Sequence, residues 1–185
     1  LIAEPFNPVS LALGAEASFV ARTHDMDRKH MQEMFRRAYH HDGASLVEVY
    51  QNCNVFNDGA FATITKKDSR DDMLIDLRHG ERIQFGSEGQ FGVVRQDGGV
   101  EIVNVADVGL DALLVHDETR QDPSTAFALS RLAFGPTTPT PVGVFRATER
   151  AEYGAAMATQ VADVAAESGK GDLASLLRSQ PTWEV

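Results

Sequence analysis

The feature that most limits what this chain can become is a strand, helix and strand in succession near its start. Ser18-Phe19-Val20-Ala21-Arg22-Thr23 reads as a strand, because β-branched and aromatic side chains suit a pleated surface. Asp25 or Asp27 can cap the helix that follows, in which Met31, Met34, Phe35 and Ala38 recur at helical spacing and Gly43 supplies a stop. The apolar run Ser45-Leu46-Val47-Glu48-Val49-Tyr50 then reads as a buried strand. Strands joined by a helix pair in parallel through a right-handed crossover, so the predicted class is α/β. Ligands of open α/β sheets collect outside the carboxyl ends of the strands. Here those ends are Thr23-His24-Asp25, which turn and capping roles already explain, and Gln51-Asn52-Cys53-Asn54.

Cys53 is the only cysteine. Asn54, Asn57, Asp58 and Gly59 follow it, and each favours a turn through side-chain bonds to nearby amides or tolerance of positive φ. The cysteine is therefore expected on a tight loop. A lone intracellular cysteine is most often a small buried hydrophobe. A zinc or iron–sulfur site needs about four ligands, and this chain offers no second thiol. A cysteine nucleophile needs an imidazole placed by the fold, which six scattered histidines do not specify.

Around this unit the chain divides. Asn7 and Pro8 open a short apolar helix that Gly14 stops, with deep burial expected. The charged stretch Lys66 to Asp72 marks the internal boundary. Beyond it come short extended pieces at Met73–Leu77 and Arg82–Phe85, then two strands flanking Asp97-Gly98-Gly99, a strong hairpin signal. This region is expected to be antiparallel throughout. Leu113–His116 reads as one more strand; His116 and Asp117, as neighbours along it, would face opposite ways and so serve structure. Asp122-Pro123 begins a helix burying Ala126, Phe127, Leu129 and Leu132, and the proline-rich Pro136–Pro141 should run extended. An alanine-rich helix is expected from Tyr153 to Glu167, and Asp172 caps a last one whose leucines should pack inward. Trp183 is expected to dock on the domain or a partner.

A net charge of −10 repels nucleic-acid phosphates and anionic membranes, so neither is an expected partner. No apolar run approaches the ~20 residues that cross a bilayer. With one cysteine there is no internal disulfide, and the cytoplasm is the expected compartment. Leu1-Ile2 reads as an entry partway through a domain, hence a fragment.

Residues Pro5–Ala15, Phe19–Thr23, Glu48–Cys53 and Phe56–Phe61 resemble the β subunit of 2-oxoacid:ferredoxin oxidoreductases, the 2-oxoglutarate type most nearly. The likeness continues through His116-Asp117-Glu118, Asp122-Pro123, Ala126–Leu129, Pro141–Arg146 and Thr182–Val185, and so covers essentially the whole chain. It implies that residues 1–65 end a parallel α/β domain that binds thiamine diphosphate, and that 66–185 form a smaller α+β C-terminal domain of hairpins and helices. It implies oxidative decarboxylation of a 2-oxoacid to an acyl-coenzyme A, with electrons passed through a [4Fe–4S] cluster to ferredoxin. Implied cofactors are thiamine diphosphate, Mg²⁺ and the cluster; implied partners are an α subunit, ferredoxin, the 2-oxoacid and coenzyme A. Cys53 matches a cluster cysteine, while the thiamine and magnesium motifs are not found in this chain. Asn54, Asn57 and Asp58 match positions that shape the loop. Alone, the fragment is expected to be inactive. Competing readings are a non-catalytic module that docks a subunit, and a thiamine enzyme that does not use ferredoxin.

Overall fold

The computed structural model describes residues 6–132 and 138–179. The chain separates into two compact units, Leu1–Arg150 and Ala151–Val185.

The first unit opens with helix α1 (Pro8–Gly14), whose Asn7 side chain accepts from the Ser10 amide as a cap. Strand β1 (Phe19–His24), helix α2 (Arg28–Tyr39) and strand β2 (Ser45–Tyr50) follow, with Asp27 capping α2. β1 and β2 pair in parallel, Phe19 opposite Ser45 through His24 opposite Tyr50, as the crossover argument requires. Two helical turns, α3 (Ala62–Thr65) and α4 (Arg70–Met73), lead to strand β3 (Leu74–Leu77). Then come β4 (Gln84–Phe85), β5 (Phe91–Gln96) and β6 (Gly99–Asn104), the turn α5 (Val105–Val108), helix α6 (Ser124–Ser130) and strand β7 (Thr140–Ala147).

Two sheets result, one ordered β2-β1-β7-β3 and the other β4-β5-β6. The second is antiparallel, and its hairpin turns on Asp97 (φ 46°) and Gly98 (φ 80°), the positive dihedrals a two-residue turn demands. The first corrects two expectations. β7 runs antiparallel to β1, so the sheet is mixed, and β3 pairs in parallel with β7, not within the antiparallel region. Gly143 allows this: at φ 113°, a side-chain carbon there would lie 2.7 Å from the Leu77 carbonyl oxygen.

β1 is buried along its whole length because helices cover both faces. Val20 faces one core with Val9, Leu13, Ile75, Leu129 and Phe145. Phe19 and Ala21 face another with Met34 and Val144, beneath α2. This alternation is the period of two that strands impose. Burying a side chain such as Phe145 contributes about 1.5–3 kcal/mol.

Several burial expectations are corrected by position. β2 lies at the sheet edge and is half-buried, not buried, because no described strand covers its outer side. Leu11, Phe35 and Phe127 are exposed on helices whose neighbours Leu13, Met34 and Leu129 fill the core. Leu113–His116 forms no strand; an isolated bridge joins Val115 to Arg82. His116 does turn inward and Asp117 outward, with His116 Nε2 2.7 Å from the Val144 carbonyl oxygen.

In the second unit, helix α7 (Tyr153–Ser168) is capped by Glu152, which accepts from the Gly154 and Ala155 amides, and helix α8 (Leu173–Leu177) by Asp172. Leu173, Leu176 and Leu177 are exposed, contrary to the inward packing expected. Pro136, Thr137 and Trp183 lie outside the described residues.

Candidate functional site

Residues 51–59, between β2 and α3, are all exposed, and Cys53 is among them. The reading of this cysteine as a buried hydrophobe is therefore set aside. The neighbouring backbone amides of Phe56 and Val55, and to a lesser degree Asn57, push the thiol below the ordinary cysteine range. Backbone amides near a sulfur favour its charged form, which is the direction of this shift. An exposed thiol of lowered pKa is a competent metal ligand. Among the described residues no group of three or more His, Cys, Asp or Glu side chains could hold a metal ion. Cys53 by itself is one thiol where a cluster needs about four ligands.

The loop closes on itself at Cys53, whose carbonyl accepts from the Asn57 amide at 2.9 Å. Its main brace is Asn52. Asn52 Nδ2 donates to Asp58 Oδ1 at 2.9 Å, and Asn52 Oδ1 accepts from the Gly59 amide at 2.9 Å. The Asn52 amide donates to Asp25 Oδ2 at 3.2 Å, and the Asp25 amide donates to the Tyr50 carbonyl at 3.0 Å. The tips of β1 and β2 are thereby joined. The shaping roles expected of Asn57 and Asp58 are present, while no bond is seen for the Asn54 side chain among the described residues.

Beneath the loop lies Arg22, 1% exposed. Its Nε donates to Glu48 Oε2 at 2.6 Å and its Nη1 to the Pro141 carbonyl at 3.3 Å. The guanidinium lies 5.1 Å from the Tyr50 ring centroid and 5.3 Å from that of Phe145. Sequence reading passed over Arg22 and Asn52. A charged residue inside an otherwise apolar strand, opposite a glutamate on the next, was the signal that could have found the first.

At the β1 tip, Thr23 Oγ1 sits 2.8 Å from His30 Nδ1. His24 is buried, and its Nδ1 has no hydrogen-bond partner among the described residues. Burial pushes its pKa down against the opposing charges of Asp27 and Asp25. Turn and cap geometry accounts for the rest of this tip. His116-Asp117-Glu118 lies away from the loop in a structural role: Glu118 Oε1 accepts from Arg37 Nη2 at 2.6 Å, and its carbonyl from the Ala147 amide at 2.7 Å.

Comparison with known proteins decides the ancestry. The chain is 47% identical over 183 residues to the 2-oxoglutarate oxidoreductase subunit KorB of Mycobacterium tuberculosis, covering 98% of this chain and 49% of that protein. The chain is a homologue of 2-oxoacid:ferredoxin oxidoreductase β subunits. Shorter matches agree, among them 38% identity over 52 residues to such a β subunit from Saccharolobus solfataricus, spanning 28% of this chain and 17% of that one. The chain spans about half the length of the Mycobacterium relative. In structure it is similar to a 2-oxoglutarate:ferredoxin oxidoreductase from Magnetococcus marinus, solved with 2-oxoglutarate, coenzyme A and succinyl-CoA bound. That likeness has a TM-score of 0.57 at 19% identity and covers 96% of this chain and 45% of that one, which shows the fold. No family profile matches the chain. No described helix is long and apolar enough to cross a membrane.

Proposed function

We propose that this chain is part of the β subunit of a cytoplasmic 2-oxoacid:ferredoxin oxidoreductase, and that Cys53 supplies one thiolate to its [4Fe–4S] cluster. The observation that carries the reading is the Cys53 loop itself: an exposed thiol at the carboxyl end of a parallel strand pair, on a loop closed by the Asn57 amide and braced by Asn52. Within the parent enzyme, residues 1–65 are the end of the thiamine-diphosphate-binding domain, and 66–185 the C-terminal domain, with β3 and β7 added to the sheet. The substrate is a 2-oxoacid, with 2-oxoglutarate favoured by the KorB likeness, and the acyl product leaves on coenzyme A. Thiamine diphosphate and Mg²⁺ find no matching residues in this chain, and no step is drawn through them.

When bound, the cluster supplies one-electron transfer toward ferredoxin. What this chain's residues do is narrower. Cys53 presents its sulfur at the surface of the loop, the neighbouring backbone at Phe56 and Val55 pushes its pKa down, and Asn52 with Asp58 and Gly59 keeps the turn from opening. The isolated chain, with one thiol, is expected to be colourless and inactive. Cys53→Ser in the assembled enzyme should abolish the cluster signal in electron paramagnetic resonance. An unchanged signal removes Cys53 from the centre, and an enzyme that retains decarboxylation without iron supports the ferredoxin-independent alternative.

A second reading draws on a separate observation. Met157, Val161, Val164, Leu173, Leu176 and Leu177 are all exposed in the second unit, an amount of bare apolar surface that suits docking of an α subunit. This role is compatible with the first.

A further inference from the structure

Helix α2 carries four basic side chains, Arg28, Lys29, Arg36 and Arg37, against the single carboxylate of Glu33, in a chain whose net charge is −10. Of its residues only Met34 is buried. At about 100° per residue, Arg28, Gln32, Phe35 and Tyr39 fall on one outer stripe with Lys29 and Arg36 along its side, and all six are exposed. Tyr39 is 85% exposed, and its ring stands edge-on to that of His40 with centroids 5.2 Å apart. The nearby acids are already engaged: Glu33 pairs with Arg36, and Asp27 accepts from the His30 amide as the helix cap. Arg37 leans inward to Glu118, and Asp42 stands beyond the helix end. The Arg28 end of the stripe lies near the Cys53 loop. Exposed Met26 precedes α2, and its neighbour Asp25 accepts from the Asn52 amide at 3.2 Å. On the loop itself Val55 and Phe56 are exposed as well.

We propose that the outer stripe of α2 is a docking surface for an acidic protein, the electron acceptor of the proposed reaction. Charge selects this occupant. The molecule as a whole repels an acidic partner, so a local run of cations is what allows one to approach and sets where it lands. A second copy of the chain is disfavoured on the same ground, because a two-fold contact would set this stripe against itself, cation facing cation. Arginine and tyrosine are also the side chains that carry most of the binding energy at interfaces, and Phe35 adds apolar area between the charges. A partner seated on the Arg28 end lies beside the Cys53 loop, where electrons would leave. The proposal rests on the electron-transfer reading for the identity of its partner, and on the helix alone for the place.

The assembled enzyme is assayed with two acceptors: a small ferredoxin of net negative charge, and methyl viologen, a dye that needs no protein contact. Arg28→Glu combined with Lys29→Glu should raise KM for the ferredoxin about tenfold at low salt and leave the viologen rate unchanged. Both sites are exposed in the first turn, where acidic side chains suit the helix dipole, so folding is kept. The defect should shrink as the Debye length falls from about 30 Å at 0.01 M salt to about 8 Å at 0.15 M. Tyr39→Ser should raise the same KM by roughly three- to tenfold at either salt, because its contribution is contact rather than charge. Lys170→Glu with Arg178→Glu, an equal charge change in the second unit, should alter neither rate. A wild-type ferredoxin KM in the Arg28, Lys29 variant overturns the proposal. So does a variant whose only defect is subunit assembly, which makes the stripe a contact inside the enzyme. Failure of the proposed function itself shows differently, as no viologen reduction by the wild-type enzyme. Isothermal titration of the 185-residue chain with the same ferredoxin at low salt then tests the stripe without turnover. Binding that the double variant weakens supports it; no binding, or equal binding by the variant, overturns it.

Discussion

The Cys53 loop and the helices α7 and α8 are both exposed along their length, and they are held in opposite ways. The loop is mostly polar and is tied to the half-buried strand tips: Asn52 to Asp25, and Tyr50 to Phe61, with the inaccessible Arg22 over the Tyr50 ring. The helices are held by local bonds, the Glu152 and Asp172 caps and their own backbone ladders, and no residue of either is buried. A 16-residue helix of this kind is marginal in water without an apolar face to bury. An exposed loop can thus be complete in itself, whereas an exposed apolar helix face asks for cover. Exposure alone separates neither case; what fixes the backbone does.

The largest test of this contrast is at the loop's foundation. Arg22→Ala removes one partner of an ion pair whose arginine side chain is 1% and glutamate side chain 14% exposed, leaving Glu48 desolvated and unpaired. The expected loss is about 3–5 kcal/mol, read as a fall in the urea midpoint. A loss under about 1 kcal/mol would mean that the loop is not anchored through this residue.

Acid should act next, and mainly on the first unit. His24, His41 and His116 all have pKa values lowered, burial being the first cause in each. Below their ordinary value of 6.5 the unfolded chain takes up protons that the folded chain resists. Stability is therefore full above that pH and falls as pH drops through it toward the lower folded values. Urea midpoints at pH 7.5 and 5.5 should show the decline, and replacing His116 by Asn should flatten it. Glu152 and Asp172 are held below their ordinary values by the amides they cap, so α7 and α8 lose those caps only at lower pH still, as the carboxylates take up protons. Helicity of the second unit should persist at pH 5.5.

The smallest effect on folding is expected from V161D with V164D. Both sites are exposed, so stability should change by no more than about 0.5 kcal/mol. Co-purification with an α subunit should nevertheless be lost. A large drop in stability instead would show that this face is already packed on the chain itself.

Much of the architecture was legible because its causes are local. Asn7, Asp27 and Asp172 cap the helices they were expected to cap, and Asp97-Gly98 turns the hairpin, since each depends on a few neighbouring side chains and dihedrals. The parallel pairing of β1 and β2 followed from the crossover between them. At the site, the turn after Cys53 was legible from Asn57, Asp58 and Gly59, but its brace through Asn52 was not, because that bond is chosen by where the β1 tip happens to lie.

What the residues determined by themselves is most of the elements, their caps and turns, and the kinship with a β subunit, though not the expected strand at Leu113–His116. Only the tertiary structure decided that β7 enters between β1 and β3, that β2 is left at an edge, and that Arg22 comes to lie beside the rings of Tyr50 and Phe145. The reason is distance along the chain. Gly143 meets Arg22 and Leu77 across long separations, and no local propensity records which distant strand will arrive beside which.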